Sequence, residues 1–173
     1  MGLPFEHLMD RWDVHREELA YTMYYTIHWS PWGSMDRWVI NRLVPSEAGI
    51  FQLWVLKGKD LLLLITETAY FGGIRNSLRE IIDDLAPAGE RLRKLISGRE
   101  CWFRFSISSV REYLKDLDLW FSRKTYEEKE REMYVREIEE FKKFQTPPPD
   151  IQLSSRKRLK DSLFGPPMPK FGK

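Results

Sequence analysis

The sequence predicts an α+β domain: a small antiparallel three-stranded sheet flanked by helices, followed by a long charged helix and a disordered tail. Three observations predict it. Two β-rich runs, residues 49–56 and 60–68, are joined by Lys57-Gly58-Lys59, whose glycine can supply the positive φ of a tight hairpin. After the break at Gly72-Gly73, Leu78, Ile81, Ile82 and Leu85 recur at helical spacing and must face a core. A third run, Cys101-Trp102-Phe103-Arg104-Phe105-Ser106-Ile107, reads as another strand.

Taken in order, Asp13 is expected to cap a helix running to about Ile27, and Ser34 to cap another over residues 35–43, stopped by Pro45. Between them, His28-Trp29-Ser30-Pro31-Trp32-Gly33 reads as a turn. The hairpin follows, then a helix over residues 76–85 that Pro87 and Gly89 end, and a short helix over residues 90–96 leading to Ser97-Gly98. Beyond the third strand, a helix starting near Ser108-Ser109 places Val110, Tyr113, Leu114, Leu117, Trp120 and Phe121 on one face. Residues 126–144 are charged almost throughout, and 127–132 hold no apolar side chain. The helix, spanning about 109–144, is therefore expected to outrun the core. No internal repeat is evident.

A chain of 173 residues has the length of one domain, placed here at residues 1–145. Its 42% hydrophobic and 31% charged content is that of a globular protein, and a net charge of +2 by itself implies no polyanion partner. The charge is unevenly spread. Residues 146–173 hold six basic and two acidic residues, a net +4, which leaves −2 on residues 1–145. That segment opens with Pro147-Pro148-Pro149 and closes with Gly165-Pro166-Pro167-Met168-Pro169, so it favours extended polyproline-like backbone and is expected to be a basic disordered tail. Aromatic residues reach 14%, more than a core obviously needs, so some are expected to face a ligand. The single cysteine, Cys101, excludes an intramolecular disulfide and multi-cysteine metal sites, and reads as a buried strand residue. Asp10-Arg11 interrupts the amino terminus before an apolar secretory core can form, and the longest apolar run, residues 61–65, is far short of the roughly 18 that a membrane span needs. A soluble cytoplasmic protein with no membrane partner is the expectation.

Chemistry is harder to place. His7, Arg11 and His15 would form a row on a helix, while His28 is remote, so no metal site is assigned. Ser108-Ser109 lack a nucleophile-elbow pattern, and Cys101 lies inside an aromatic strand. Gly72-Gly73 opens a helix whose free N–H groups could accept a phosphate, although helix breaking alone explains two glycines. Arg75 and Arg79, four apart in the first turns of that helix, could hold a phosphate together; the alternative is a solvated face with Glu80, Asp83 and Asp84 as partners. In the tail, Arg156, Lys157, Arg158 and Lys160 would attract nucleic acid or another anionic partner.

The order of elements, with Gly49-Ile50-Phe51 opening the hairpin, a glycine break, an arginine-bearing helix, a strand and a helix, resembles the GIY-YIG nuclease domain over about residues 29–121. Phe51 stands where the family's first tyrosine would be. For the second motif, hairpin register points to Leu62-Leu63-Leu64, whereas a shifted match at Tyr70-Phe71-Gly72 recovers tyrosine and glycine and brings Arg79 close to the family's arginine. Matching the helix by its apolar pattern instead puts Ser77 in the arginine's place and Ile81 in that of the following histidine. The metal-binding glutamate would fall near Glu112, Asp116 or Asp118.

The resemblance implies phosphodiester hydrolysis, with a tyrosine-assisted water, an arginine on the phosphorus and one divalent Mg or Mn ion. Losing a general base or a phosphate-stabilising cation costs about 10² to 10⁴ in rate each. The expectation is a domain that has lost hydrolysis, needs no cofactor, and binds nucleic acid or protein through its sheet, Arg75, Arg79 and the tail. Trp29, Trp32 and Trp54 would supply stacking surface or core packing. One alternative is a divergent DNA endonuclease using Tyr70, Arg79 and Glu112 or Asp116; another is an assembly protein docking a partner through the charged helix and tail.

Overall fold

The structure is a computed structural model in which residues 12–122, 132–139 and 157–158 are described. Strands β4 (Gly49–Lys57) and β5 (Asp60–Ala69) form the expected hairpin, turned by Gly58 at φ 64°. β4 lies at the centre of a five-stranded sheet. The apolar run Cys101–Ile107 is β6, antiparallel to β4 from Gly49↔Ile107 to Val55↔Cys101. Two short strands extend the sheet: β3 (Gly33–Ser34) beside β6, and β8 (Lys157–Arg158) parallel to β5, giving the order β3-β6-β4-β5-β8.

The helices follow the apolar spacing except at two ends: Leu85, expected to face the core, is exposed beyond the last helical residue, Ile82, and Val110 is exposed ahead of the helix that begins at Arg111. Helix α1 (Arg37–Leu43) starts two residues later than expected and is capped by Asp36 rather than Ser34, which lies in β3; Asp36 Oδ1 accepts from the N–H of Trp38 at 2.7 Å and of Val39 at 3.3 Å. Helix α2 (Gly73–Ile82) starts three residues earlier than its periodicity predicts, because Gly72 can take the left-handed conformation that launches it. A 3-10 turn (Pro87–Gly89) leads into α3 (Glu90–Ile96), and α4 (Arg111–Ser122) follows β6. Among the described residues no helix is long and apolar enough to cross a membrane.

Both faces of the central strands are covered. Phe51, Leu53 and Val55 of β4 pack with Phe103 and Phe105 of β6 against α1, α2 and α3. On the other face, Ile50 packs with Leu114, Leu117 and Trp120 of α4 against a second sheet. Every residue of β6 is buried, which is why it reads as a nearly continuous apolar run rather than an alternating one.

That second sheet corrects two expectations. Residues 13–27 form no helix: β1 (Val14–Leu19) and β2 (Thr22–His28) make an antiparallel hairpin through Ala20 and Tyr21, both at positive φ. Met23, Tyr25 and Ile27 are buried in turn between half-buried neighbours, a period of two that no helix satisfies. Likewise residues 133–138, expected inside the long charged helix, form β7 (Met133–Ile138), parallel to β2. Met133 and Val135 bury alternately, with half-buried Tyr134 between them and exposed Arg136 after them. The predicted three-stranded sheet is thus one part of a two-sheet architecture, in the order β1-β2-β7 for the smaller sheet. The stretches 123–131 of the expected helix and most of the tail lie outside the described residues; within the tail, Lys157 and Arg158 are paired in β8.

Candidate functional site

The antiparallel register sets Phe51 on β4 directly opposite Glu67 on β5, so both side chains share the helix-covered face. There α2 and α3 leave a cleft of about 160 Å³ between themselves and the sheet, lined by Phe51, Glu67, Ser77, Glu80, Ile81 and Arg91 among others. Phe51 and Ile81 are buried and form its apolar floor. Arg91 of α3 donates to Glu67 Oε1 at 2.9 Å, and Glu80 accepts from Asn76 at 2.6 Å. Glu67, Glu80 and Arg91 thus bring two carboxylates and one guanidinium to the lining of the cleft. Burial holds the Glu67 carboxyl above its ordinary range, against the pull of Arg91 and with a small push from Asp118.

The perturbed Glu67 carries a pH signature. Because its folded-state pKa lies above the unfolded one, its contribution to stability is fully present below the unfolded pKa and is lost as pH rises through the folded pKa. The Glu67→Gln variant should therefore gain on wild type in thermal midpoint as pH climbs from about 4 to 7. A constant gap across that window would exclude burial as the dominant influence on this carboxyl.

The residues singled out in the sequence are dispersed. Tyr70 and Phe71 are exposed beyond the end of β5, under the guanidinium of Arg111. Arg75 is half-buried and its Nε donates to the Val44 carbonyl at 2.6 Å, tying α2 to the end of α1. Arg79 is exposed on α2. Glu112 pairs with Arg16 at 2.8 Å, and Asp116 accepts a hydrogen bond from the hydroxyl of Tyr25, so both acidic residues engage the β1–β2 hairpin. Burial, then Asp116, pushes the Tyr25 hydroxyl well above the ordinary tyrosine range and keeps it a donor. Lys157 and Arg158 sit at the outer edge of β5, and Arg156 and Lys160 lie outside the described residues.

Gly72-Gly73 has a packing explanation. The N–H groups of Ile74 and Arg75 donate to the carbonyls of Glu47 at 2.9 Å and Pro45 at 3.3 Å. Those two first-turn donors are used inside the protein. Cys101 is buried, which pushes its thiol up to about 12 and leaves it neutral, in keeping with a packing role.

A second constellation was not anticipated. Arg104, in the middle of β6, has a side chain only 5% exposed. Its guanidinium lies 4.7, 5.1 and 5.5 Å from the ring centroids of Trp29, Trp32 and Trp54. Nε donates to Gln52 at 2.8 Å, and the terminal nitrogens meet Glu139 at 3.2 Å and Glu137 at 3.7 Å. Trp29 and Trp54 turn their indole N–H groups to Glu137 and Gln52 at 2.8 and 3.1 Å, closing the network. Burial lowers the Arg104 pKa to about 10, with Glu137 opposing the fall. Trp29 and Trp32, ahead of the hairpin, and Trp54 within it are therefore walls of a cage around one buried cation. The legible signal was a lone arginine inside an otherwise apolar strand.

A protein-family model described as "Uncharacterised protein" matches residues 13–172. No curated protein and no solved structure matches the chain.

Proposed function

The chain belongs to the family matched over residues 13–172, and we propose that it is a GIY-YIG-like domain without hydrolytic chemistry, a module that binds a protein partner through the cleft above Phe51. One observation carries the reading: Phe51, Ser77 and Ile81 line the same cleft. In the resemblance matched by the apolar pattern of α2, these positions belong to the family's tyrosine, arginine and histidine. The order hairpin, helix, strand, helix around a central β4 agrees with that layout.

The choice of protein over nucleic acid follows from charge. Glu67 and Glu80 outnumber Arg91 around the cleft, a field that repels phosphate and favours a lysine or arginine side chain. The apolar floor would take the aliphatic stem of such a residue while the carboxylates meet its charge.

The test has two parts. In a plasmid-nicking assay with Mg²⁺ or Mn²⁺, no cleavage above buffer is expected; cleavage that disappears in Arg79→Ala would return the endonuclease reading. In a titration with a fluorescent Lys/Arg-containing peptide, combining Glu67→Gln with Glu80→Gln should weaken binding about tenfold. If labelled DNA or RNA binds more tightly than the peptide, with a steep salt dependence, the partner is a nucleic acid instead.

A further inference from the structure

The outer faces of α1 and α2 carry positive charge that the fold does not use. On α1, Trp38 is 63% exposed, and the guanidinium of Arg42, one turn on, lies 5.0 Å from its ring centroid. Arg37, beside Trp38 in sequence, and Arg79 on α2 are exposed, while Arg75 is half-buried. Among the described residues none of these four arginines has an ion pair. Tryptophan and arginine are the side chains that most often dominate the energy of a protein interface.

The packing of the two helices brings these side chains to one surface. Gly49, which opens β4 after α1, pairs with Ala69, which closes β5 before α2, so α1 ends and α2 begins at the same end of the sheet. The helices pack side by side and run in opposite directions. Arg75 Nε, bonded to the Val44 carbonyl at 2.6 Å, ties the first turn of α2 to the end of α1. Arg79 lies one turn further along the same row, so it shares the flank of α2 that faces α1. Ser77 and Ile81 lie on the opposite flank, in the cleft. The surface is therefore separate from the cleft, and its occupant does not depend on what the cleft binds.

The sign of the charge and its extent define that occupant. Guanidiniums take carboxylates in bidentate pairs, and an indole face takes an apolar or aromatic side chain. The positive patch is also short. Asp36 and Glu47 flank α1 in sequence, and Glu80, Asp83 and Asp84 follow Arg79. A nucleic-acid strand would carry its phosphates on past the arginines toward those carboxylates, whereas a short acidic peptide segment ends where the positive charge ends. We propose that α1 and α2 dock an acidic segment of a protein partner, its Asp or Glu carboxylates on Arg37, Arg75 and Arg79 and an apolar side chain on Trp38.

The test titrates the full chain with fluorescent peptides in which Asp and Glu residues flank one Phe, Leu or Trp. Trp38→Ala and Arg79→Ala should each weaken binding about tenfold, and Trp38→Phe should retain most of it. Both positions are exposed, and thermal midpoints equal to wild type establish that the variants fold. Glu67→Gln, a change within the cleft, should leave the affinity for these peptides within about twofold, so failure of the cleft reading and failure of this one are distinguishable. Absence of binding by every such peptide below about 1 mM, or binding that neither Trp38→Ala nor Arg79→Ala weakens, would overturn the proposal. Single-stranded DNA or RNA that binds more tightly than the peptides and loses that affinity in Trp38→Ala would make a nucleic acid the occupant and overturn it equally.

Discussion

Arg104→Ala is expected to destabilise the protein by about 3–5 kcal/mol, the magnitude for breaking a buried ion pair from one side. The side chain is 5% exposed and shared between Gln52, Glu137, Glu139 and three indole faces. Removing it leaves two carboxylates without their cation and a void among Trp29, Trp32 and Trp54. Each desolvated indole face contributes roughly 0.5–2 kcal/mol to holding the cation, which offsets part of its desolvation. Urea unfolding followed by tryptophan fluorescence measures the loss as a lowered midpoint at constant slope. Arg104→Met, made together with Glu137→Gln and Glu139→Gln, should recover much of it, since apolar volume can replace a buried ion pair. A loss below about 1 kcal/mol in Arg104→Ala would show that cage and ion pair do not hold the two sheets together.

Gly73→Ala should be the most damaging of the glycine substitutions near α2, costing about 3 kcal/mol or more. Gly73 sits at φ 79°, and a Cβ there would lie 2.1 Å from the Ser46 carbonyl oxygen. The backbone of residues 45–47 would have to retreat, and with it the carbonyls that accept from Ile74 and Arg75. Gly58→Ala is the matched control: φ is 64°, nothing lies within 4 Å, and only the left-handed conformation is penalised, at about 1–2 kcal/mol. Thermal midpoints of the two variants separate these effects. Equal losses would mean that the close approach to Ser46 relaxes freely.

Residues 49–68 and 101–107 were legible because hairpin chemistry and fully buried runs leave a local trace, the helix of residues 111–122 because its apolar spacing repeats every turn, and those of residues 37–43 and 90–96 because Pro45, Pro87, Gly89 and Gly98 mark their ends, though Asp36 and not Ser34 caps the first. Residues 13–28 were misread for a specific reason. Asp13 offers a helix cap, yet Met23, Tyr25 and Ile27 bury at every second position, and β2 gains its second neighbour only from β7, more than a hundred residues later. The charged stretch after residue 126 has the composition of a solvated helix; Glu137 and Glu139 turn inward only because Arg104 is there to meet them. At the candidate site, Phe51, Ser77 and Ile81 line one cleft, which Glu67 and Arg91 enter through strand register and the packing of α3, and no motif encodes that.

Local chemistry along the chain was thus enough for the central hairpin, the third strand and most of the helical faces, since each depends on residues within a turn or a strand of one another. Tertiary contact alone assembled the second sheet, filled the cleft with carboxylates and gave the tryptophans their purpose. The physical reason is distance in sequence: a cation buried in β6 is neutralised by Glu139, 35 residues on, and caged by Trp29, which itself reaches Glu137 across 108 residues. Burying that charge is favourable only when all of those partners arrive together.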